Sequence, residues 1–125
     1  MSTKTLISII ESPAHPQFSA LYQNKGLTET KVSSVRKAIS IFKKQPVDYI
    51  VAEFFYAYST NYSGVHKSNL DVLLVSLKKY SPKTKVIAIV MKKEQQYIDV
   101  LDHLDYPLHG VLVQRVNPEL MLALL

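Results

Sequence analysis

Apolar positions along the chain alternate between short unbroken runs and stripes repeating every three to four residues. The runs "TLISII" (5–10), "VDYIVAEFF" (47–55), "KVIAIV" (85–90) and "GVLV" (110–113) read as strands, and "TETKVSSV" (28–35) as a shorter alternating one. Between them lie helical stripes. Phe18, Leu21 and Tyr22 predict a helix over 17–26 with Gly26 as its C-cap. Val35, Ala38, Ile39 and Phe42 predict one over 35–45, stopped by Pro46. Leu70, Leu73, Leu74 and Leu77 predict one over 68–80 behind a Ser/Asn cap. Tyr97, Val100, Leu101 and Leu104 predict one over 92–104, and Asn117 with Pro118 opens a last one over 117–125.

The pattern is βαβαβαβαβα. Strands that are apolar along their whole length are buried on both faces, which calls for a parallel sheet between helices. Right-handed crossovers then favour the flavodoxin-like α/β fold, a (βα)5 three-layer sandwich with strand order 2-1-3-4-5. One segment resists the pattern: residues 56–69, "YAYSTNYSGVHKSN", form a long aperiodic loop rich in tyrosine. Loops of that length are commonly functional, and Tyr56, Tyr58, Tyr62 and His66 make it a candidate interaction surface or a cover over a neighbouring cleft.

Composition changes this picture only slightly. The length of 125 residues suits one domain, 1–125, with a substantial core. With no cysteine, disulfides and thiolate metal sites are excluded. The net charge of +5 comes from scattered lysines and two arginines, several of them at predicted helix ends, so direct nucleic-acid binding is not expected. The start "MSTKTLISII" has neither the long apolar core nor the cleavage site of a secretory signal, and no stretch approaches the ~20 apolar residues of a membrane span. A soluble, cytoplasmic protein without membrane attachment is expected. The apolar end "MLALL" (121–125) predicts either a domain cut from or followed by a further segment, or a last helix packed on a partner.

The chemistry concentrates at the carboxyl ends of the strands, where sheets of this kind hold ligands. No Gly-rich phosphate loop occurs, and Pro13, His15 and Pro16 after the first strand leave no cradle for a flavin or nucleotide. Glu53 is the anomaly, a carboxylate inside an apolar strand. Glu11 and Glu53, with His15 as a third ligand, make a weak candidate metal site. His103, Asp105 and His109 form a triad on paper but have no nucleophile beside them.

In order and spacing, "PVDYIVAEFF", "ESPAH", "KTKVIAIVM" and "HGVLVQRVNPELM" resemble the conserved segments of response-regulator receiver domains. The resemblance puts Glu53 at the phosphoacceptor aspartate. Glu11 or Ser12, with Ile10 or Ser12 as the other member, falls where two acids hold Mg²⁺. Val90 stands for the hydroxyl residue that binds the phosphoryl group, and Gln114 for the lysine that pairs with it. Arg115 falls where many receivers have proline, and Val111 on the aromatic whose rotamer reports phosphorylation.

Phosphoryl transfer to a carboxylate rests on positioning and on neutralisation by Mg²⁺ and a cation, so these losses together imply a dismantled site that binds no Mg²⁺. The resemblance therefore implies a pseudo-receiver of two-component signal transduction. It would be no enzyme, and would act by phosphorylation-independent contact with a protein partner or a second copy, through the fourth and fifth helices and fifth strand. Glu53 would be either a constitutive anion that imitates a phosphorylated aspartate, or a strand-end glutamate hydrogen-bonded to Gln114, Ser12 or water. The alternatives are a phosphorylatable receiver with an atypical pocket and a basic nucleic-acid-binding α/β module.

Overall fold

A computed structural model describes residues 4–56 and 68–125, with the backbone alone for His103. Tyr58, Tyr62 and His66 lie outside the described residues, so the expected surface on that loop is represented only by Tyr56. The strands are β1 (Lys4–Ile9), β2 (Leu27–Val32), β3 (Tyr49–Glu53), β4 (Lys85–Val90) and β5 (Gly110–Val113). All pairings are parallel and the order is β2-β1-β3-β4-β5, as the apolar runs predict.

Because side chains alternate along a strand, each strand feeds two cores. Ile7, Ile9, Ile50, Ala52, Val86 and Ala88 face one side, where α2 (Val35–Phe42) and α3 (Asp71–Tyr80) cover them with Phe42, Leu73, Leu74 and Leu77. Leu6, Tyr49, Val51, Ile87 and Ile89 face the other, under Tyr22 of α1 (Ser19–Asn24) and Met121 of α4 (Pro118–Leu124). Every residue of β3 is buried. Glu53, two positions beyond Val51, therefore projects to the α1 side of the sheet.

Local chemistry sets the element ends. Ser34 accepts the Lys37 N–H at 3.2 Å and caps α2, which is why β2 stops at Val32 and does not run on to residue 35. Gly26 takes a φ of 77° after α1, the left-handed conformation that a residue without Cβ adopts freely. Asn117 accepts the Glu119 N–H at 2.8 Å, with Pro118 in the first turn of α4.

Three expectations change. The segment Lys92–Leu104 is a 3-10 helix, η1, ending on Asp105 at φ 55°; it still buries Leu101 and half-buries Ile98, Val100 and Leu104. The Ser/Asn cap of α3 is met only in part and just ahead of the helix: Leu70 holds the N-cap position with no side-chain bond, while Ser68 Oγ accepts the Leu70 N–H at 3.1 Å and donates to Asp71 at 2.7 Å. The last helix does not leave its whole apolar face open. Met121 is buried and Leu124 and Leu125 pack on the sheet, while Leu120 and Leu122 are exposed.

Candidate functional site

The β1–α1 loop crosses the carboxyl end of β3, and its polar groups converge on one side chain. Glu53 Oε1 accepts the N–H groups of Glu11 (3.0 Å) and Ser12 (3.2 Å), and His15 Nδ1 lies 3.0 Å from the same oxygen. Glu53 Oε2 accepts the Ser12 hydroxyl at 2.5 Å. Two successive backbone N–H groups, a hydroxyl and a ring nitrogen thus surround a carboxylate that is buried almost completely. A buried carboxylate is tolerated only when its lone pairs are matched in this way.

The reason is local. Pro13 and Pro16 break any helix after β1, so the loop turns tightly: His15 N–H reaches Ser12 O at 3.3 Å, and Ala14 N–H reaches Ser12 Oγ at 3.2 Å. That turn delivers His15 inward. His15, named from the sequence as a third metal ligand, is buried against Glu53. Burial holds its imidazole below the ordinary 6.5, outweighing the upward pull of the Glu53 charge and hydrogen bond and of Glu29. A neutral ring facing a carboxylate oxygen carries its hydrogen on Nδ1.

A second layer holds the strand end. Asn69 Nδ2 donates to the Glu53 carbonyl at 2.6 Å and to Glu11 Oε1 at 3.0 Å, while Asn69 Oδ1 accepts the Phe55 N–H at 2.7 Å. Asn69 was expected to help cap α3; its amide is turned to β3 instead. Glu11 is half-buried, and that burial raises its carboxyl above the ordinary 4.5, the Asn69 bond opposing the shift and the Glu53 charge adding to it.

The remaining pocket positions are apart from this cluster. Val90 is fully buried at the end of β4 and offers no hydroxyl. Of the partners expected for Glu53, Ser12 bonds it and Gln114 does not; Gln114 Nε2 donates to the Ala14 carbonyl, and the Gln114–Arg115 peptide is cis. Val111 is exposed on β5. The space enclosed by Ser12, Ala14, Glu53, Phe54, Phe55, Ile89, Met91 and Gln114 is about 20 Å³, room for a single water.

Among the described residues no cluster of three or more His, Asp or Glu side chains is arranged to hold a metal ion, and the two carboxylates of the weak Glu11–Glu53 pair each accept from protein donors. The His103–Asp105–His109 constellation does not assemble from its described members. Asp105 is exposed and pairs with Lys78 at 3.3 Å, and His109 Nε2 lies 2.7 Å from the Leu124 carbonyl. Tyr56 leaves β3 with its N–H on Glu94 Oε2 at 3.3 Å and its ring stacked on Tyr97, centroids 4.1 Å apart.

His15 and Asn69 were the residues least visible in the sequence. Only the flanking prolines hint at the first, and nothing periodic marks the second. Among the described residues no helix is long and apolar enough to cross a membrane.

No protein-family model and no curated protein sequence matches the chain. Solved structures do. The receiver domain of the TMAO respiratory system response regulator TorR is 14% identical with a TM-score of 0.66, over 96% of this chain and 91% of that one. A DNA-binding response regulator of the LuxR family from Staphylococcus aureus is 12% identical with a TM-score of 0.70, over 97% and 94%. A streptococcal protein, described as one of a family of redox sensors evolved from two-component response regulators, is 14% identical with a TM-score of 0.72. There the match covers 96% of this chain and 48% of the other, so this chain spans about half of it. The chain has the fold of response-regulator receiver domains.

Proposed function

We propose that this chain is a receiver-like module of two-component signalling that works by protein–protein contact without being phosphorylated. The observation that carries the reading is the state of Glu53. The side chain at the phosphoacceptor position is buried, and both its oxygens are engaged by Glu11, Ser12 and His15. Phosphoryl transfer needs an oxygen free to attack and a space in which Mg²⁺ and a cation neutralise the incoming charge. Beside Glu53 there is room for about one water, with Val90 and a diverted Gln114 at the remaining corners.

The likeness to receiver domains supports the signalling role, and the streptococcal redox sensor shows the fold in a protein described by another use. The partner, a protein or a second copy, is proposed to meet the face of η1, β5 and α4, where Met91, Val111, Leu120 and Leu122 are exposed. The module acts in the cytoplasm, is not an enzyme and requires no Mg²⁺.

The test is exposure of the protein to acetyl phosphate, and separately to beryllofluoride, each with Mg²⁺. Intact mass and the amide spectrum of residues 10–16 and 53–55 are expected to be unchanged. An adduct or bound fluoride at residue 53 would establish instead a phosphorylatable receiver with an atypical pocket. A salt-dependent mobility shift with duplex DNA would favour a nucleic-acid role for the basic chain.

A further inference from the structure

Between α2 and the start of α3 lies a cavity of about 500 Å³, lined on its apolar side by Val35, Ile39 and Val72. That is the size of ordinary small-molecule sites, roughly 300–1,000 Å³, which combine an apolar lining with a few polar groups. The polar groups here are sorted by availability. Ser68 and Asn69 are buried and committed, the serine to Asp71 and the Leu70 N–H, the asparagine to Glu53, Glu11 and Phe55.

The cations are different. Arg36, Ser40 and Lys43, spaced four and three residues apart, share the α2 side of the cavity; the backbone positions of the two cationic residues are about 10 Å apart along the axis, a gap their long side chains can close. Among the described residues neither cation is in an ion pair, although the Lys43 ammonium lies 5.7 Å from the centre of the Tyr80 ring. Among the described residues of the lining, Glu11 is the one acid. Its half-buried carboxyl is already tied to Asn69.

We propose that this cavity binds a small organic anion, with its apolar body against Val35, Ile39 and Val72 and its acidic group held by Arg36 and Lys43. The inference stands independently of the signalling reading. The cations supply charge complementarity, the aliphatic side chains supply burial, and Glu11 turns the acidic group away from its own end.

The probe is 2-naphthalenesulfonate, titrated into the isotopically labelled full chain, with neutral 2-naphthalenemethanol as its counterpart. Saturable shifts are expected at residues 34–43 and 68–72, and the sulfonate should bind at least about fivefold more tightly than the alcohol. Arg36→Glu with Lys43→Glu, both at exposed positions, should weaken the sulfonate about tenfold or more, as two charge contacts reverse. Val72→Glu should abolish binding of both probes. Equal affinity for the two probes, an undiminished double variant, or shifts confined to the η1–β5–α4 face would overturn the proposal. Sedimentation velocity reads the remaining occupant: self-association abolished by Val72→Glu would make the cavity an interface between copies instead.

Discussion

His15 Nδ1 lies 3.0 Å from Glu53 Oε1, and both side chains are buried although one stands in a loop and the other at a strand end. The contact joins positions 38 residues apart. It makes the carboxyl end of β3 the anchor for the β1–α1 loop, with Glu53 supplying acceptors and the loop supplying donors. A carboxylate used in this way serves as an internal brace.

Removing the brace should therefore cost stability. Glu53→Ala orphans two backbone N–H groups and a ring N–H, for an expected loss of about 3 kcal/mol. Glu53→Gln should lose only about 1 kcal/mol, because the Ser12 hydroxyl can reverse and accept from the new amide. Urea unfolding of the two variants reads the difference; an alanine variant as stable as the parent would show that the loop holds itself.

Asn69 is expected to behave as a second anchor. Asn69→Ala leaves the Glu53 carbonyl and the Phe55 N–H without their partner, costing about 2–3 kcal/mol. Asn69→Asp should be worse, since it sets a carboxylate against Glu11 and the Glu53 carbonyl. Hydrogen exchange at the Phe55 amide, which donates to Asn69 Oδ1 at 2.7 Å, should accelerate in both.

Acid should weaken the fold through His15. Its folded pKa is lowered, so below the ordinary 6.5 the unfolded chain binds more protons than the folded one, and stability falls as pH drops from 6.5 toward the folded value. Glu11 works in the opposite sense: its raised pKa lets the folded chain bind more protons just above 4.5. His15→Gln keeps a donor for Glu53 and should flatten the upper part of the curve. The midpoint of urea unfolding across pH 5–8 checks this, and an unchanged slope in the variant would exclude His15 as the source.

Gly110 and Leu124 should be coupled. A Cβ at Gly110 would lie 2.5 Å from Leu124 Cδ1, too close to keep that rotamer. Gly110→Ala is expected to destabilise by about 1 kcal/mol, because a flexible leucine can move aside. Leu124→Ala should remove most of that penalty, giving a coupling of about 0.5 kcal/mol or more in a double-mutant cycle.

Tyr22 offers the opposite sign. Its hydroxyl is buried and, among the described residues, has no hydrogen-bond partner, and burial raises its pKa. Tyr22→Phe should be neutral or stabilising by up to about 1 kcal/mol, read by thermal unfolding.

The sheet was legible in the sequence because apolar runs such as "KVIAIV" have one physical explanation, burial on both faces. β4 and β5 occupy the predicted residues, and the strand order is the flavodoxin-like one expected for five βα units, among the few topologies that right-handed crossovers leave. Glu53 was legible as an anomaly for the same reason. Its partners were not. Hydrophobic periodicity says nothing about a loop, so it gave no sign that His15, between Pro13 and Pro16, turns inward. The cap rule assigned Ser68 and Asn69 to α3, but the unmet carbonyl of Glu53 and N–H of Phe55 made a stronger demand on the Asn69 amide. Helical spacing of Tyr97, Val100, Leu101 and Leu104 fitted an α-helix, and nothing in that periodicity marked the tighter 3-10 winding.

The strand order has a consequence for how the protein survives at high concentration. Among the described residues β2 and β5 are the two margins of the sheet, and exposed strand margins are templates for adding foreign strands. β2 carries exposed Thr28, Thr30 and Lys31, polar and charged groups that discourage such addition. β5 is protected differently, by being four residues long with Gly110 at its start. Of the two margins, the short apolar one beside Val111 is where an aggregating neighbour would first find purchase.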